Sequence, residues 1–367
     1  MSELRIGVIG AGLIGQVEHI PNLLRLRDRF ALTVVSDPSP TARAFVEGKF
    51  GVPTVAEAAE LLARPLDAVL VASPDALHLE QVTQAFAAGL HVFCEKPLCY
   101  GVADIESLIA ARDRAGRIGQ VGYMKRFDPS YEAALRLLSE SAATLRYVSV
   151  EVNDPDAWPF VAHHRLRRAA DLPAAQAEAL RLLQREQVAR AVSRPLVGTL
   201  YQGFVAAYCS ALVHDVNAVH GLLDALGVPD GEVVGAQLFA GGDGGLGTVR
   251  LQGGKAVWNM THLTVPGLAH YSERIALYLD DALIELIFPS PWLNHQPTRL
   301  IVRRSDGEVL DTVETRSSFA EAFVRELEGF WSSVVEGAPP RNGFEDARRD
   351  QRLLCALAEK AAETMES

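Results

Sequence analysis

Two short motifs near the start of the chain carry residues whose types and spacing suit chemistry on a bound nucleotide. Residues 10–15 read Gly-Ala-Gly-Leu-Ile-Gly, and Glu95-Lys96-Pro97 closes the apolar run 90–94. A glycine-rich turn lets backbone approach phosphates, and a lysine beside a nucleotide cleft is suited to proton transfer. Together the motifs indicate a nucleotide-binding fold that performs redox chemistry.

The elements that must position these motifs alternate along the first third of the chain. A doubly wound parallel sheet with helices on both faces is predicted for residues 1–125, because buried apolar runs alternate with helical periodicities. Ser39 is expected to cap a helix that starts at Pro40. The predicted strands are 4–9, 31–36, 67–72, 90–94 and 118–122, and the other predicted helices are 13–27, 76–88 and 102–115.

Residues 126–367 have a different pattern of apolar runs and turns, and they are predicted to form a second, α+β domain with a mainly antiparallel open sheet. Strand-like runs there follow one another across short turns, which is typical of antiparallel neighbours. Two C-terminal helices can pack back on the first domain. The predicted strands are 144–152, 232–239, 246–251, 255–264, 273–280, 282–288, 299–304 and 307–314, and the predicted helices are 129–139, 318–335 and 344–365.

A basic helical insertion at 163–194 belongs clearly to neither pattern. It is either a lid that attracts an anionic substrate group or a solvated helix face or subunit contact, and the second interpretation is favoured because charge runs usually lie at the surface. Its basic residues are His163, His164, Arg165, Arg167, Arg168, Arg181, Arg185, Arg190 and Arg194.

The glycine-rich turn follows a strand and opens a helix, which is the context of a dinucleotide site. Gly10 permits the tight turn, Gly12 the approach of a pyrophosphate, and Gly15 close helix packing. Asp37 ends the next strand and is placed to bind the adenosine ribose hydroxyls. A 2′-phosphate would be repelled by that carboxylate, so NAD is favoured over NADP. Leu13 and Ile14, which complete the turn, are also assigned to the cofactor site.

Further polar residues follow the later strands, at the sheet edge where open α/β folds bind ligands. Ser73, Pro74 and His78 follow one strand, and Glu95 and Lys96 follow the next. We predict that these five lie near the cofactor. Tyr123 and Arg126 follow the last strand and are predicted to contact the substrate.

Composition excludes several classes of protein. The net charge is -11, which argues against a nucleic-acid or anionic-membrane surface. The four cysteines lack the spacing of a zinc site and the density of a disulfide scaffold, and no metal site is expected. With no leader pattern and no long apolar stretch, a cytoplasmic location is the expectation.

The chain resembles the Gfo/Idh/MocA oxidoreductases, a family that includes inositol dehydrogenases and glucose-fructose oxidoreductase. The resemblance implies a Rossmann domain, a second domain whose open sheet forms an oligomer face, a nicotinamide cofactor, and chemistry at a sugar or cyclitol carbon. It assigns Lys96 to the reacting hydroxyl and His214 to the role of acid/base partner. The motifs that carry it are Gly10-x-Gly12-x-x-Gly15, Ser73-Pro74 with His78, Glu95-Lys96-Pro97, Arg126-Phe127 and Val213-His214-Asp215-Val216-Asn217.

The sequence departs from the family pattern around the histidine. Ser210 stands where the family commonly has Asp, four residues before His214, and Asn217 stands where a second Asp is common. We assign both to the substrate site. A hydroxyl supports an imidazolium less than a carboxylate does, which shifts more of the proton transfer onto Lys96.

These observations predict an NAD-dependent oxidoreductase that transfers a hydride between nicotinamide and a secondary carbinol carbon of a sugar, amino sugar or cyclitol. Two alternatives stay open. One is a redox-neutral epimerase or glycoside-cleaving enzyme that retains tightly bound NAD, and the other is a non-catalytic NAD-binding protein. A homo-oligomer, dimer or tetramer, is expected through the second domain's sheet.

Overall fold

The computed structural model describes residues 3–155, 157–169 and 171–366. They form two compact units. Unit 1 comprises residues 1–123, 161–191 and 323–349, and unit 2 comprises residues 124–160, 192–322 and 350–367, apart from the few undescribed residues. Each unit is built around its own sheet.

A six-stranded parallel sheet forms the centre of unit 1. The strand order is β3-β2-β1-β4-β5-β6, the order of a Rossmann sheet, so the predicted doubly wound fold is confirmed. Its strands are β1 (Leu4–Ile9), β2 (Phe30–Ser36), β3 (Thr54–Val55), β4 (Ala68–Val71), β5 (His91–Cys94) and β6 (Gly119–Val121).

An eight-stranded sheet forms the centre of unit 2, in the order β14-β13-β12-β11-β7-β10-β9-β8. Only β7 and β10 pair in parallel, which confirms a mainly antiparallel open sheet. The strands are β7 (Leu145–Asn153), β8 (Glu232–Leu238), β9 (Gly244–Leu251), β10 (Ala256–Leu263), β11 (Ser272–Leu279), β12 (Ala282–Phe288), β13 (Arg299–Ser305) and β14 (Leu310–Thr315).

The helices connect these strands and close the chain. Two π-helical segments, Gly15–His19 and Phe204–Leu212, precede α-helices, and 3₁₀ turns occur at Asp75–Leu77, Met124–Phe127 and Gln252–Gly254. In chain order the α-helices are α1 (Ile20–Arg25), α2 (Pro40–Phe50), α3 (Ala58–Leu62), α4 (His78–Ala87), α5 (Val102–Ala115), α6 (Pro129–Ser139), α7 (Trp158–Val161), α8 (Ala174–Ala191), α9 (Thr199–Gly203), α10 (Val213–Ala225), α11 (Ala322–Val335) and α12 (Phe344–Glu366).

Local sequence signals explain several helix boundaries. The hydroxyl of Ser39 accepts a hydrogen bond from the Ala42 amide at 3.0 Å, and Pro40 occupies the first helical position of α2, as predicted. At the other end of a helix, Gly116 ends α5 in the left-handed region at φ 61°. A side chain there would be strained, so glycine sets the stop.

The core of unit 1 lies on the faces of the parallel sheet. Ile6 and Val8 of β1 and Leu70 of β4 are fully buried there. Helix α11 contributes Leu327 and Phe330, which are equally buried although they come from the far end of the sequence. The parallel sheet therefore completes its core with residues far outside the first third of the chain.

The structure differs from the sequence expectations at some boundaries. The helix predicted at 13–27 is π-helical over 15–19 and α-helical only to Arg25, because the chain leaves helical geometry at Leu26. The strand predicted at 307–314 starts at Leu310, since Asp306 Oδ1 accepts from the Glu308 and Val309 amides and holds a turn there. The two-residue β3 was not predicted. Among the described helices, none has the length and apolar character needed to cross a membrane.

Candidate functional site

The glycine-rich turn leaves β1 with the geometry of a dinucleotide loop. Gly10 has φ 101°, and a Cβ on it would lie 2.4 Å from the Ala72 carbonyl oxygen. A Cβ on Gly15 would lie 2.8 Å from the Gly10 oxygen, whereas one on Gly12 would meet nothing within 4 Å. Gly10 and Gly15 are thus required by packing, and Gly12 faces open space in which a pyrophosphate fits. Leu13 is partly exposed and Ile14 is half-buried beside them.

Asp37 joins the glycine-rich turn to the start of α2. Its Oδ2 accepts from the Ala11 amide at 2.8 Å and its Oδ1 accepts from the Ser39 amide at 2.9 Å. Both bonds orient the carboxylate at the carboxyl end of β2, beside the turn. This is the position predicted for the ribose contact, and the side chain is only partly buried.

His78 ties the loop after β4 to the loop after β5. Its ring is fully buried, with Nδ1 at 2.9 Å from the Pro97 carbonyl oxygen and Nε2 at 3.0 Å from the Ser73 carbonyl oxygen. The hydroxyl of Ser73 donates to Gln81 Oε1 at 2.5 Å. His78 therefore joins the loops that follow β4 and β5, and Pro74 follows Ser73 in the first of these loops.

The Glu95-Lys96-Pro97 loop is fixed from beneath by a buried ion pair. Nε2 of His19 lies 2.6 Å from Glu95 Oε1, and Oε2 of the same carboxylate accepts from the Lys96 amide at 3.1 Å. Burial alone would raise the pKa of Glu95, but the bond from His19 and the charges of His19 and Lys96 lower it below its usual value. Lys96 itself is half-buried at the end of β5, and the Lys96–Pro97 peptide bond is cis.

His19 and Glu326 are site residues that the sequence reasoning missed. Glu326 of α11 is fully buried, and burial, with the charges of Glu95 and Glu18 nearby, raises its pKa well above the usual value. This shift favours the protonated form of the carboxyl. The available signal for His19 was the group of polar residues Gln16, Glu18 and His19 directly after the glycine-rich turn.

In unit 2, His214 lies in the first turn of α10, directly after the π-helical segment 204–212. It is half-buried, and Ser210, four residues earlier, is exposed. π-Helical segments are uncommon and occur often at functional sites. Asn217 differs from both, because it is fully buried and its amide donates to Asp350 at 2.8 Å. Asn217 therefore has a structural partner within unit 2.

Asp215, the residue after His214, belongs to a buried ionic cluster. Lys125 Nζ lies 3.0 Å from Asp215 Oδ1 and also pairs with Glu273, and all three side chains are at least nine-tenths buried. Burial and the charge of Glu273 raise the pKa of Asp215 well above its usual value. Beside the cluster, burial and the charge of Lys125 lower the pKa of His262 to about 4. Two buried carboxyl groups thus face the single cation of Lys125.

The remaining predicted substrate residues, Tyr123 and Arg126, each take part in a hydrogen bond within their own unit. The ring of Tyr123 is only 2% exposed, and its carbonyl accepts from Asn342 at 2.9 Å within unit 1. Nε of Arg126 donates to the Asn217 carbonyl at 3.1 Å within unit 2, and part of its side chain is accessible.

The structure places the predicted residues in two sets. Unit 1 gathers the glycine-rich turn, Asp37, Ser73, Pro74, His78, Glu95 and Lys96 at the carboxyl ends of its parallel strands. Unit 2 carries Arg126, Ser210, His214 and Asn217. In the described ranges, no group of three or more His, Cys, Asp or Glu side chains is arranged to hold a metal ion.

A family model matches the part of the chain that contains the first set, the predicted cofactor residues of unit 1. Residues 4–123 match a family model described as an oxidoreductase family with an NAD-binding Rossmann fold. The match is to the Gfo/Idh/MocA oxidoreductase family model. It confirms the resemblance of these residues to that family, and the open space at Gly12 and the carboxylate of Asp37 fit a dinucleotide. Residues 4–123 thus form an NAD-binding Rossmann domain.

Relatives with assigned names match part of the chain. Inositol 2-dehydrogenase 3 of Saccharopolyspora erythraea is 34% identical over 195 residues, which are 52% of this chain and 57% of that protein. A putative UDP-kanosamine synthase oxidoreductase subunit of Amycolatopsis mediterranei is 34% identical over 148 residues, 40% of each chain. The chain therefore aligns with about half the length of the relatives it matches.

Solved structures match along nearly the whole chain. A 3-ketoreductase from Actinomadura kijaniata, solved with NADP and TDP-benzene, superimposes with a TM-score of 0.73 at 19% identity and covers 98% of both chains. An apo scyllo-inositol dehydrogenase from Lactobacillus casei gives 0.71 at 19% identity, covering 99% of this chain and 97% of its own. At this identity the matches establish the fold, including the second unit's sheet.

Proposed function

We propose that this protein is an NAD-dependent oxidoreductase that oxidises or reduces a secondary alcohol or ketone carbon of a sugar, amino sugar or cyclitol. The observation that carries the proposal is the fixed loop of Lys96. Its amide is held by Glu95, which is paired with His19 on the helix that follows the glycine-rich turn. A lysine amino group on a rigid loop at the cofactor edge is suited to proton transfer at a reacting hydroxyl, as an amine that accepts the proton or an ammonium that donates it.

Each residue of the proposed site has a distinct task. Bound NAD supplies the hydride acceptor, and the glycine-rich turn and Asp37 hold it. Lys96 Nζ takes the hydroxyl proton when an alcohol is oxidised and returns it when a ketone is reduced. His214 is the second acid/base group, with Ser210 and Arg126 as substrate contacts. Asn217 is buried against Asp350 and supports α10.

Support for the substrate class comes from the names of the relatives, which include inositol 2-dehydrogenases and a nucleotide-sugar oxidoreductase subunit. Such substrates present several hydroxyls, which require polar groups at the site. The acidic composition of the chain is compatible with neutral polyols. We propose a polyol or sugar without excess negative charge as the substrate.

We further propose that copies of the chain associate through the second unit's sheet. Strand β14 is an edge strand whose residues are all exposed, and Leu310 and Val313 are 65% and 59% exposed. Unprotected edges with apolar side chains invite pairing with another strand. A dimer or tetramer that covers this edge is the simplest arrangement.

The test is a panel of inositols, pyranoses, amino sugars and nucleotide sugars, assayed for reduced-nicotinamide absorbance with wild type, Lys96→Met and Lys255→Met. Lys255 is an exposed turn residue in unit 2 and serves as the matched control. We expect Lys96→Met to lower turnover by about 10²–10⁴ while NADH binding is retained, since it removes only the proton-transfer group. Lys255→Met should behave as wild type.

The possible results separate the candidate functions. Full turnover by Lys96→Met would remove the assignment of Lys96. Conversion of a substrate without accumulation of NADH would indicate the redox-neutral alternative, for which the altered surroundings of His214 leave room. Tight NADH binding with no conversion across the panel would indicate a non-catalytic NAD-binding protein.

A further inference from the structure

A segment distant in sequence lies along the cofactor edge of unit 1. We call residues 161–169 together with Asp171 the strap. Gln16, next to Gly15, is bonded to it twice: its Nε2 donates to the Arg167 carbonyl at 2.8 Å, and its Oε1 accepts from the Arg167 amide at 3.0 Å. The same Nε2 lies 2.6 Å from the Ala11 carbonyl. The strap is thus attached to the glycine-rich turn itself.

The other end of the strap reaches the first turn of α2. Oδ2 of Asp171 accepts from the Thr41 amide at 2.9 Å, and Oδ1 accepts from the Ser39 hydroxyl at 2.5 Å. These bonds, from Ser39 first and then Thr41, lower the pKa of Asp171 to about 2. The carboxylate is therefore charged at every physiological pH, although the side chain is exposed.

This position is the one that decides between the two nicotinamide dinucleotides. In a Rossmann fold the residues after β2 contact the adenosine ribose, and a 2′-phosphate needs a cation or free helix amides there. Here Asp37 follows β2, and Asp171 already occupies the first-turn amide of α2. Arg43 donates its Nη1 to the Asp37 and Pro38 carbonyls at 2.7 and 3.0 Å. The site thus presents two carboxylates.

We propose that Asp171 is a specificity-determining residue that makes the cofactor site select NAD over NADP. The inference rests on the proposed NAD-dependent function and adds to it. A 2′-phosphate carries about -1.5 to -2 charges, so a second carboxylate at this site repels it and also withholds the amide and hydroxyl that would bind it. NAD has only a hydroxyl there and is not excluded.

The opposing contribution is the positive charge of the strap. Arg165, Arg167 and Arg168 have exposed side chains, and they are the groups that would attract a phosphate. Arg165 and Arg167 bond to neighbouring residues of unit 1 through their backbone: Lys49 Nζ lies 3.4 Å from the Arg165 carbonyl, and Gln16 bonds the Arg167 amide and carbonyl. Asp171 in contrast places its charged atoms on the first turn of α2. The experiment decides whether the arginines of the strap or Asp171 determine the preference between NADH and NADPH.

The experiment measures the dissociation constants of NADH and NADPH by calorimetry and nucleotide fluorescence, without substrate, on full-length protein. Variants are Asp171→Asn, Asp171→Ser and the charge-conserving Asp171→Glu. Asp113→Asn is the matched control, because Asp113 is an exposed carboxylate of unit 1 that pairs with Arg112. Thermal unfolding of each variant shows whether the fold is kept.

We expect wild type to prefer NADH. Asp171→Asn and Asp171→Ser should tighten NADPH binding about tenfold, the effect of removing one unit charge near a phosphate at the protein surface. NADH binding should change less than about threefold, and Asp171→Glu should keep most of the preference. Asp113→Asn should match wild type for both nucleotides.

Two results would overturn the inference and leave the oxidoreductase proposal intact. One is wild type binding NADPH as tightly as NADH, which would give the decisive influence to the arginines of the strap. The other is an unchanged NADH to NADPH ratio in both Asp171→Asn and Asp171→Ser. Binding of neither nucleotide by folded wild type would instead contradict the proposed function as well.

Discussion

Replacing Lys125 by methionine should destabilise the second unit strongly. The side chains of Lys125, Asp215 and Glu273 are 7%, 2% and 1% exposed, so water does not compensate for the loss of the cation. Removing one partner of a buried ion pair costs about 3–5 kcal/mol. The folding equilibrium should therefore shift by more than about a hundredfold. Lys255→Met, at an exposed turn, should stay within about 0.5 kcal/mol of wild type.

The pH dependence of this loss follows from the carboxyls left behind. Burial and Glu273 already raise the pKa of Asp215, and removing Lys125 raises the folded-state pKa of Asp215 further. Between its unfolded pKa of about 4 and the raised folded value, the folded state binds more protons, so stability falls as pH rises. The difference in the free energy of unfolding between wild type and Lys125→Met should be smaller at about pH 5 than at about pH 8.

The assay is denaturant unfolding followed by tryptophan fluorescence, since Trp258 is buried in unit 2 on β10. Adding Glu273→Gln to Lys125→Met should recover part of the lost stability by removing one uncompensated charge. The reasoning would be refuted if Lys125→Met and Lys255→Met unfolded alike, or if the loss were the same at both pH values.

Two further predictions concern the glycine-rich turn and the exposed edge. Gly12→Ala should leave the melting temperature unchanged yet weaken NADH binding, because its Cβ fits the free protein and fills the pyrophosphate space; Gly10→Ala should instead lower the melting temperature, since its Cβ would lie 2.4 Å from the Ala72 oxygen at φ 101°. Equal melting temperatures for both variants would contradict this. Leu310→Lys combined with Val313→Lys should reduce the mass measured by light scattering to that of one chain, whereas an unchanged mass above one chain would place the contact elsewhere.

The sequence predicted most where the signal is local. Ser39 and Pro40 begin α2, and Gly116 ends α5, because capping hydroxyls, proline at the first turn and left-handed glycines act within a few residues. The glycine-rich turn and Asp37 were recognised for the same reason. The spacing of the glycines and Asp37 is sufficient to predict the dinucleotide loop, because these residues lie close together in the sequence.

Interactions between distant segments could not be predicted. His19 supports Glu95 across 76 residues, and Asp171 reaches Thr41 across 130, so neither pair leaves a periodic or local signal. The basic excess at 163–194 marks this segment in the sequence and suggests that arginines make its charged contacts. In the structure it is the acidic Asp171 that makes the charged contact with α2.

Unit 1 has a discontinuous core, and this has a consequence for how the chain is made. Helix α11 supplies Val324, Leu327, Phe330 and Trp331 to the cluster that also contains β1 and β4. During synthesis the nucleotide domain therefore cannot close its interior when residue 123 has emerged. It must wait until about residue 335 is available, when most of the second unit has already been synthesised. A fragment that ends after β6 would leave open the apolar surface that α11 covers.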